Sequence, residues 1–357
     1  MRIYAWTGTQ YHEGVGTLRY RITTPLSEAE HQGLAQWRFG ADMYPEVAMV
    51  HDVLIGQLLI QPSGAEVWET LARVDDGPLL VAEHDDDIVN VRPDNPYFGH
   101  HGVSYDEFMA TNVVAARRAL AASDLVTVSV PHLAEQYAEH TDAPIVVLPN
   151  TVDGVLLDVP QRVRAKGERL RVGWSGSATH DKDMRQNVEG IRYGLRKTGA
   201  QLVLMGADYR PLMRQADAEY HAWKTQIDEY YLVVSTFHVA LAPLADDLFN
   251  RSKSPLKALE ASALGIPVVA SDAGPYRDFV IHGETGFLCR TDDDWMRALR
   301  ALDADEDLRQ AMGAAARAHA ANFTTQLWAP RWIDTYRQAL ARKRGVPADD
   351  LALVSVP

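Results

Sequence analysis

The stretch Ser252-Lys253-Ser254-Pro255-Leu256-Lys257-Ala258-Leu259-Glu260 carries the chain's most distinctive chemistry. Ser254 followed by Pro255 reads as an N-cap and a first helical residue. Gly265 then reads as the C-terminal stop before an apolar strand. The start of such a helix offers N–H groups and the positive end of its dipole to an anion. Lys253 sits before the expected cap and Lys257 in the first turn, so both add positive charge there. A lysine in a first turn is electrostatically unfavourable unless something negative is bound. Glu260, three residues beyond Lys257, lies on the same face one turn deeper, placed to grip vicinal hydroxyls such as those of a ribose. Two cations for a diphosphate and a carboxylate for a sugar diol meet the needs of a nucleotide-sugar site. In isolation, the same charges more often belong to a solvated surface helix, and it is the surrounding sequence that favours a ligand site.

Two other clusters have chemical potential. Glu83-His84-Asp85-Asp86-Asp87 ends an apolar run, and burying its first carboxylate costs several kcal/mol unless that group is paired or ligand-bound. Its oxygens suit Mg²⁺ or Mn²⁺, a solvated loop start, or sugar and acceptor hydroxyls, and the last reading is preferred. Arg171-Val172-Gly173-Trp174-Ser175-Gly176-Ser177 reads as a strand ending in a small-residue turn that lets backbone N–H groups approach a phosphate. Gly14 and Gly16, with Arg19 and Arg21 after them, follow the first strand and are open to two readings, a plain βα turn with surface arginines or a ligand loop.

Elements able to position these groups alternate along the chain. Apolar runs predict strands at Arg2–Trp6, Val47–Val50, Leu79–Ala82, Leu125–Val130 and Ile145–Leu148. A second series follows at Leu170–Trp174, Gln201–Met205, Thr236–Pro243 and Ile266–Ala270. Helical patterns intervene, among them Tyr105–Ala122, Asp183–Lys197 and Asp305–Ala321. Short, continuously apolar strands alternating with helices predict an α/β fold of doubly wound parallel sheets, here two Rossmann-like domains facing across a cleft. The polar stretch 158–167 reads as the linker, giving domains at 1–160 and 161–325. The amphipathic helix 326–345 carries Trp328, Trp332 and Tyr336 on one face. It is expected to pack across the domain junction ahead of a tail, 346–357.

Composition bounds the function. The 357 residues are 46% hydrophobic and 23% charged, ordinary values for a globular protein. A net charge of −13 argues against a large nucleic-acid footprint. A single cysteine, Cys289, excludes an intrachain disulfide and cysteine-based zinc sites. No His pair at helical spacing offers a metal site, and no G-x-S-x-G offers a hydrolase nucleophile. With no membrane-length apolar run and no signal-peptide pattern, a cytoplasmic location is expected.

The surroundings of the first motif carry a resemblance. Glu260-Ala261-Ser262-Ala263-Leu264-Gly265-Ile266-Pro267-Val268-Val269-Ala270-Ser271, then Gly274-Pro275-Tyr276 and His282-Gly283-Glu284-Thr285-Gly286-Phe287-Leu288, resemble the C-terminal domain of the GT-B retaining glycosyltransferases of family 4. Asn150-Thr151-Val152-Asp153 is similar to that family's "P-N-x-V-D" end of the first domain. Phe249-Asn250, Lys253-Ser254, Lys257 and Glu260 match an "F-N-x-x-K-S-x-x-K-x-x-E" variant. Most members carry Glu-x7-Glu, and Ser252 stands where the first of those glutamates would be.

The resemblance implies a donor site of Gly14, Gly16, Gly176, Ser177, Asn250, Lys253, Ser254, Lys257 and Glu260, with a basic residue after the second-domain turn, a role for His180 or Lys182. It implies a nucleobase near the loop 227–235, and a transferred sugar beside His84, with Asp85 and Asp86 around the reacting groups. Arg19, Arg21 and Asp87 are the expected acceptor contacts. Asn90, Pro93, Asn95 and Pro96 resemble a "D-D-D-x-x-N-x-P-x-N-P" stretch of related sugar transferases. The co-substrate implied is a nucleoside-diphosphate sugar, with a hydroxyl acceptor and no metal cofactor. Alternatives sharing the fold are an inactive transferase-like binding subunit, a nucleotide-sugar epimerase, and a transferase acting on modified DNA bases.

Overall fold

A computed structural model describes residues 1–7, 16–95, 98 and 102–346. The chain divides into two compact units, one of Met1–Asn150, Ser252–Ser254 and Thr325–Pro357, the other of Thr151–Arg251 and Pro255–Thr324.

Among the described residues, the first unit has six parallel strands: β1 (Arg2–Thr7), β2 (Gln36–Gly40), β3 (Val53–Gln57), β4 (Leu79–His84), β5 (Leu125–Val128) and β6 (Ile145–Val147). Their order is β2-β1-β3-β4-β5-β6. Every residue of β3 and β4 is buried, and the apolar run Leu79–Ala82 within β4 is what made that strand readable. The final helix, Thr325–Lys343, belongs to this unit and packs Trp328, Trp332, Ile333 and Tyr336 into a core shared with Ile3, Leu26 and Ile55.

The second unit has β7 (Arg171–Gly176), β8 (Gln201–Gly206), β9 (Glu219–His221), β10 (Val239–Ala242), β11 (Val268–Ser271) and β12 (Gly286–Cys289). They are parallel in the order β12-β11-β10-β7-β8-β9. Strand order reverses between β7 and β10, and doubly wound sheets hold ligands beyond the carboxyl ends of the strands at such a reversal.

The structure corrects the expected strand at 47–50. Pro45 starts a helix there, Pro45–Met49, because its fixed φ suits a first helical turn after the extended Tyr44. The strand lies instead at Val53–Gln57. The expected loop 227–235 is also a helix, Ile227–Val234.

Candidate functional site

In the second unit, three segments meet at the β7/β10 reversal. β7 ends at Gly176, where an added Cβ would lie 2.7 Å from Cζ2 of Trp174 and 3.2 Å from Cδ2 of His180, so only glycine lets the strand end pack this closely. Ser177 is exposed, with its Oγ 2.6 Å from Oγ1 of Thr179, and begins the turn into the helix Asp181–Thr198. His180 is the residue before that helix.

The loop after β10 runs to Arg251 and is held from beneath by Asp183, 2% exposed. Oδ1 of Asp183 accepts from the Ala245 N–H at 3.0 Å and from Nδ2 of Asn250 at 2.8 Å. The other Asn250 amide bond goes to the Ala245 carbonyl at 2.9 Å. Asn250, expected to touch the donor, is therefore buried and spends its amide donors shaping the loop. This corrects the expectation, since both amide donors are used within the protein.

The helix Leu256–Ala263 follows. Pro255, not Ser254, precedes its first residue, and no side chain caps it. The expected cap is corrected because the Ser254 hydroxyl instead accepts from Nδ2 of Asn150 at 2.8 Å. The first helical bond runs from the Leu259 N–H to the Pro255 carbonyl, so the N–H groups of the turn before it lie outside the helical ladder. Gly265 ends the helix at φ 71°, as expected.

Lys257 is half-buried, with Nζ 2.8 Å from Nε2 of His180. An ammonium can only donate, so His180 accepts at Nε2 and carries its proton on Nδ1, 2.7 Å from Oδ2 of Asp183. Of the two basic residues considered after β7, His180 is the one beside Lys257; Lys182 is exposed and pairs with Asp247 at 3.4 Å. Glu260 is 3% exposed. Its Oε2 accepts from the Tyr230 hydroxyl at 2.8 Å and its Oε1 from Tyr231 at 3.5 Å. Burial, then the Glu260 charge, pushes the Tyr230 phenol up, so it stays a donor. Tyr230 also stands 3.0 Å from Oγ of Ser175 and 6.0 Å, ring to ring, from the half-exposed Trp223. Sequence reasoning singled out neither Asp183 nor Tyr230, since a lone Asp and a lone Tyr on helices carry no pattern of their own.

In the first unit, the acidic cluster sorts itself by partner. Glu83 is fully buried and paired with Arg21, Nε to Oε1 at 2.6 Å and Nη2 to Oε2 at 3.2 Å, and it accepts from Thr127 as well. Arg21 Nη1 also donates to Oδ1 of Asn150 at 3.0 Å and to the Leu148 carbonyl. Arg21, expected to face the acceptor, is thus fully buried, and its guanidinium neutralises Glu83. The structure corrects that assignment. Arg19 is half-buried, Gly16 adopts φ 75°, and Gly14 lies outside the described residues, as does Pro96.

His84 is fully buried against Tyr137, rings perpendicular at 5.0 Å. The Tyr137 hydroxyl donates to the Asp86 carbonyl at 2.8 Å, so the Nδ1 of His84, 3.4 Å away, is the donor in that contact. That leaves Nε2 as a bare acceptor, and it makes no hydrogen bond. Burial pushes the imidazole down to about 3, which keeps it neutral. Oδ1 of Asp85 likewise has no hydrogen-bond partner, and burial followed by the Asp86 charge pushes this carboxyl up to about 7. Asp86 lies 3.6 Å from Nζ of Lys253, and Asp87, fully buried, accepts from Asn90 and, at 3.2 Å, from Oγ of Ser252. His84 Nε2 and Asp85 Oδ1 are thus buried polar atoms in consecutive residues with no hydrogen bond among the described residues. Among the described residues no group of three His, Cys, Asp or Glu is arranged to hold a metal ion, and no helix is long and apolar enough to cross a membrane.

Comparison with known proteins bears on the family and the fold. Residues 169–305 match the family described as glycosyl transferases group 1. A D-inositol 3-phosphate glycosyltransferase of Corynebacterium diphtheriae is 44% identical over 114 residues, covering 31% of this chain and 26% of that protein. Its counterpart in Nocardia farcinica is 41% identical over 95 residues, 26% of this chain and 21% of the relative. The chain thus matches about a fifth to a quarter of the length of these relatives. Among solved structures, sucrose-phosphate synthase from Thermosynechococcus elongatus superposes with a TM-score of 0.68 at 16% identity, over 96% of this chain and 100% of that one. HepE of Anabaena, solved with UDP and glucose, gives 0.62 at 14% identity, over 94% and 99%. The chain has the GT-B fold, and its residues 169–305 are similar to the glycosyl transferases group 1 family.

Proposed function

We propose that this protein is a retaining glycosyltransferase that moves a sugar from a nucleoside-diphosphate sugar to an acceptor hydroxyl. The observation that carries the reading is Lys257 and Glu260 on one face of a helix at the β7/β10 reversal, the lysine braced by His180 and the carboxylate oriented by Tyr230. Lys257, the N–H groups of the first helical turn and the turn at Gly176 and Ser177 stabilise the charge growing on the departing diphosphate. Such preorganised donors are the largest contribution in many enzymes. Lys253 adds a second cation, Glu260 holds the ribose diol, and Trp223 and Tyr230 offer aromatic surface near the base. On the first unit, Nε2 of His84 accepts from a sugar hydroxyl, while Asp85 and Asp86 orient the acceptor. Attack occurs on the face the diphosphate leaves, and the leaving phosphate takes the acceptor proton. The family match of the second unit and the UDP and glucose held by HepE support the donor class.

A thermal-shift panel of UDP-, GDP-, ADP- and dTDP-sugars tests this, because a ligand of the native state raises its stability by mass action. One nucleotide class is expected to shift the melt and to be slowly hydrolysed. A shift without hydrolysis or transfer to any offered acceptor favours an inactive binding subunit, the reading prompted by Ser252. No shift with any donor overturns the proposal.

A further inference from the structure

We propose that His180 is itself an anion ligand, one that takes up a proton when a nucleoside diphosphate binds beside Lys257; this rests on the donor-site reading above.

Asp183 is the fixed point. Its carboxylate is held by a backbone N–H and an Asn250 amide, neither of which titrates, and it faces Nδ1 of His180. The opposite ring nitrogen faces the Lys257 ammonium at 2.8 Å. A cation there opposes a second proton on the ring. An arriving diphosphate reverses that balance, because its oxygens draw the Nζ donors of Lys257 to themselves and set negative charge before Nε2. With Asp183 on one side and phosphate on the other, both N–H groups of an imidazolium have acceptors.

The described groups around the ring agree with this. Asp183 lies on its own helix, Lys257 on Leu256–Ala263, and the Trp174 ring stands perpendicular with centroids 6.3 Å apart. Behind Asp183, the phenols of Tyr209 and Tyr276 are pushed up by burial first and then by nearby carboxylates, so they stay neutral. Asp181 is occupied by Arg185 at 2.5 Å, and Lys182 by Asp247. With Nδ1 on Asp183, the nitrogen that takes the proton from solvent is Nε2, the one facing Lys257. It then faces the charge that builds as the glycosyl bond breaks, and it leaves with the released diphosphate. By linkage, affinity falls on the order of tenfold per pH unit wherever one full proton is taken up on binding.

Calorimetric titration of UDP, GDP, ADP and dTDP at pH 7.5, in HEPES and in Tris, counts the protons taken up with the tightest of the four. The expected result is about one proton per nucleotide for the wild type and about none for His180→Asn, whose amide still donates to Asp183. No uptake by the wild type, or equal uptake by the variant, overturns the inference while leaving the donor site standing. Binding of none of the four removes the donor-site reading and this inference with it. Should the variant bind too weakly to count, ¹⁵N spectra of the histidine-labelled wild type decide. Two ring N–H groups on His180 after UDP addition support the inference, and a bare Nε2 overturns it.

Discussion

The phenol of Tyr230 donates a 2.8 Å hydrogen bond to Oε2 of Glu260, on a helix that follows in sequence the strand after its own. A buried carboxylate held by a neutral donor keeps one orientation without being neutralised, which suits a group that must accept from a sugar diol. Tyr230→Phe leaves the ring packing and removes that donor. Deleting one partner of a buried charged hydrogen bond costs about 1.5–3 kcal/mol. The urea midpoint is expected to fall accordingly, and nucleotide affinity to fall with it, whereas Glu260→Gln should lower affinity with less loss of stability.

Arg21 and Glu83 form a bidentate pair, both fully buried. Breaking such a pair from one side strands a charge and costs about 3–5 kcal/mol. Arg21→Met is therefore expected to unfold at markedly lower denaturant. The double change Arg21→Met with Glu83→Leu should recover most of the loss, since no charge is then left buried. Equal destabilisation of the single and double variants would show that the ion pair is not what holds the site.

His84 and Asp85 pull the pH dependence of stability in opposite directions. With His84 pushed down to about 3, the folded state binds fewer protons than the unfolded one between pH 3 and 6.5, so this group makes stability rise with pH there. With Asp85 pushed up to about 7, the folded state binds more protons between pH 4 and 7, so this group makes stability fall with pH. In the wild type the two offset each other between pH 4 and 6.5. Asp85→Asn removes only the second, so its urea midpoint is expected to climb more steeply over that range and not to drop between pH 6.5 and 7.5. Parallel curves for wild type and variant would contradict the burial of Asp85.

Much of this was legible in the chain itself. Strands buried on both faces, such as β4, β5, β8 and β11, announce themselves as apolar runs. β2 and β9 do not, and each lies at a sheet edge, where solvent on one side admits polar residues such as Gln36, Arg38, Glu219 and His221. Lys257 and Glu260 were legible because a helix fixes side chains three apart on one face. Arg21 and Asn250 were misjudged because polarity in sequence does not say whether a polar group is satisfied by a ligand or by the protein. Their partners, Glu83 and Asp183, lie 62 and 67 positions away. Asp183 escaped notice for the same reason.

The most direct test of the account is release of the nucleoside diphosphate from a nucleotide sugar by the purified chain, followed over a panel of UDP-, GDP-, ADP- and dTDP-sugars for wild type and Lys257→Ala. Removing one charged donor to the leaving group is expected to slow release by about ten- to a hundredfold, from about 1.5–3 kcal/mol lost in the transition state. A wild type that releases diphosphate from one donor class, with a folded Lys257→Ala variant slowed to that degree, is the predicted result. Release at equal rates by the two proteins, or from no donor at all, would contradict it.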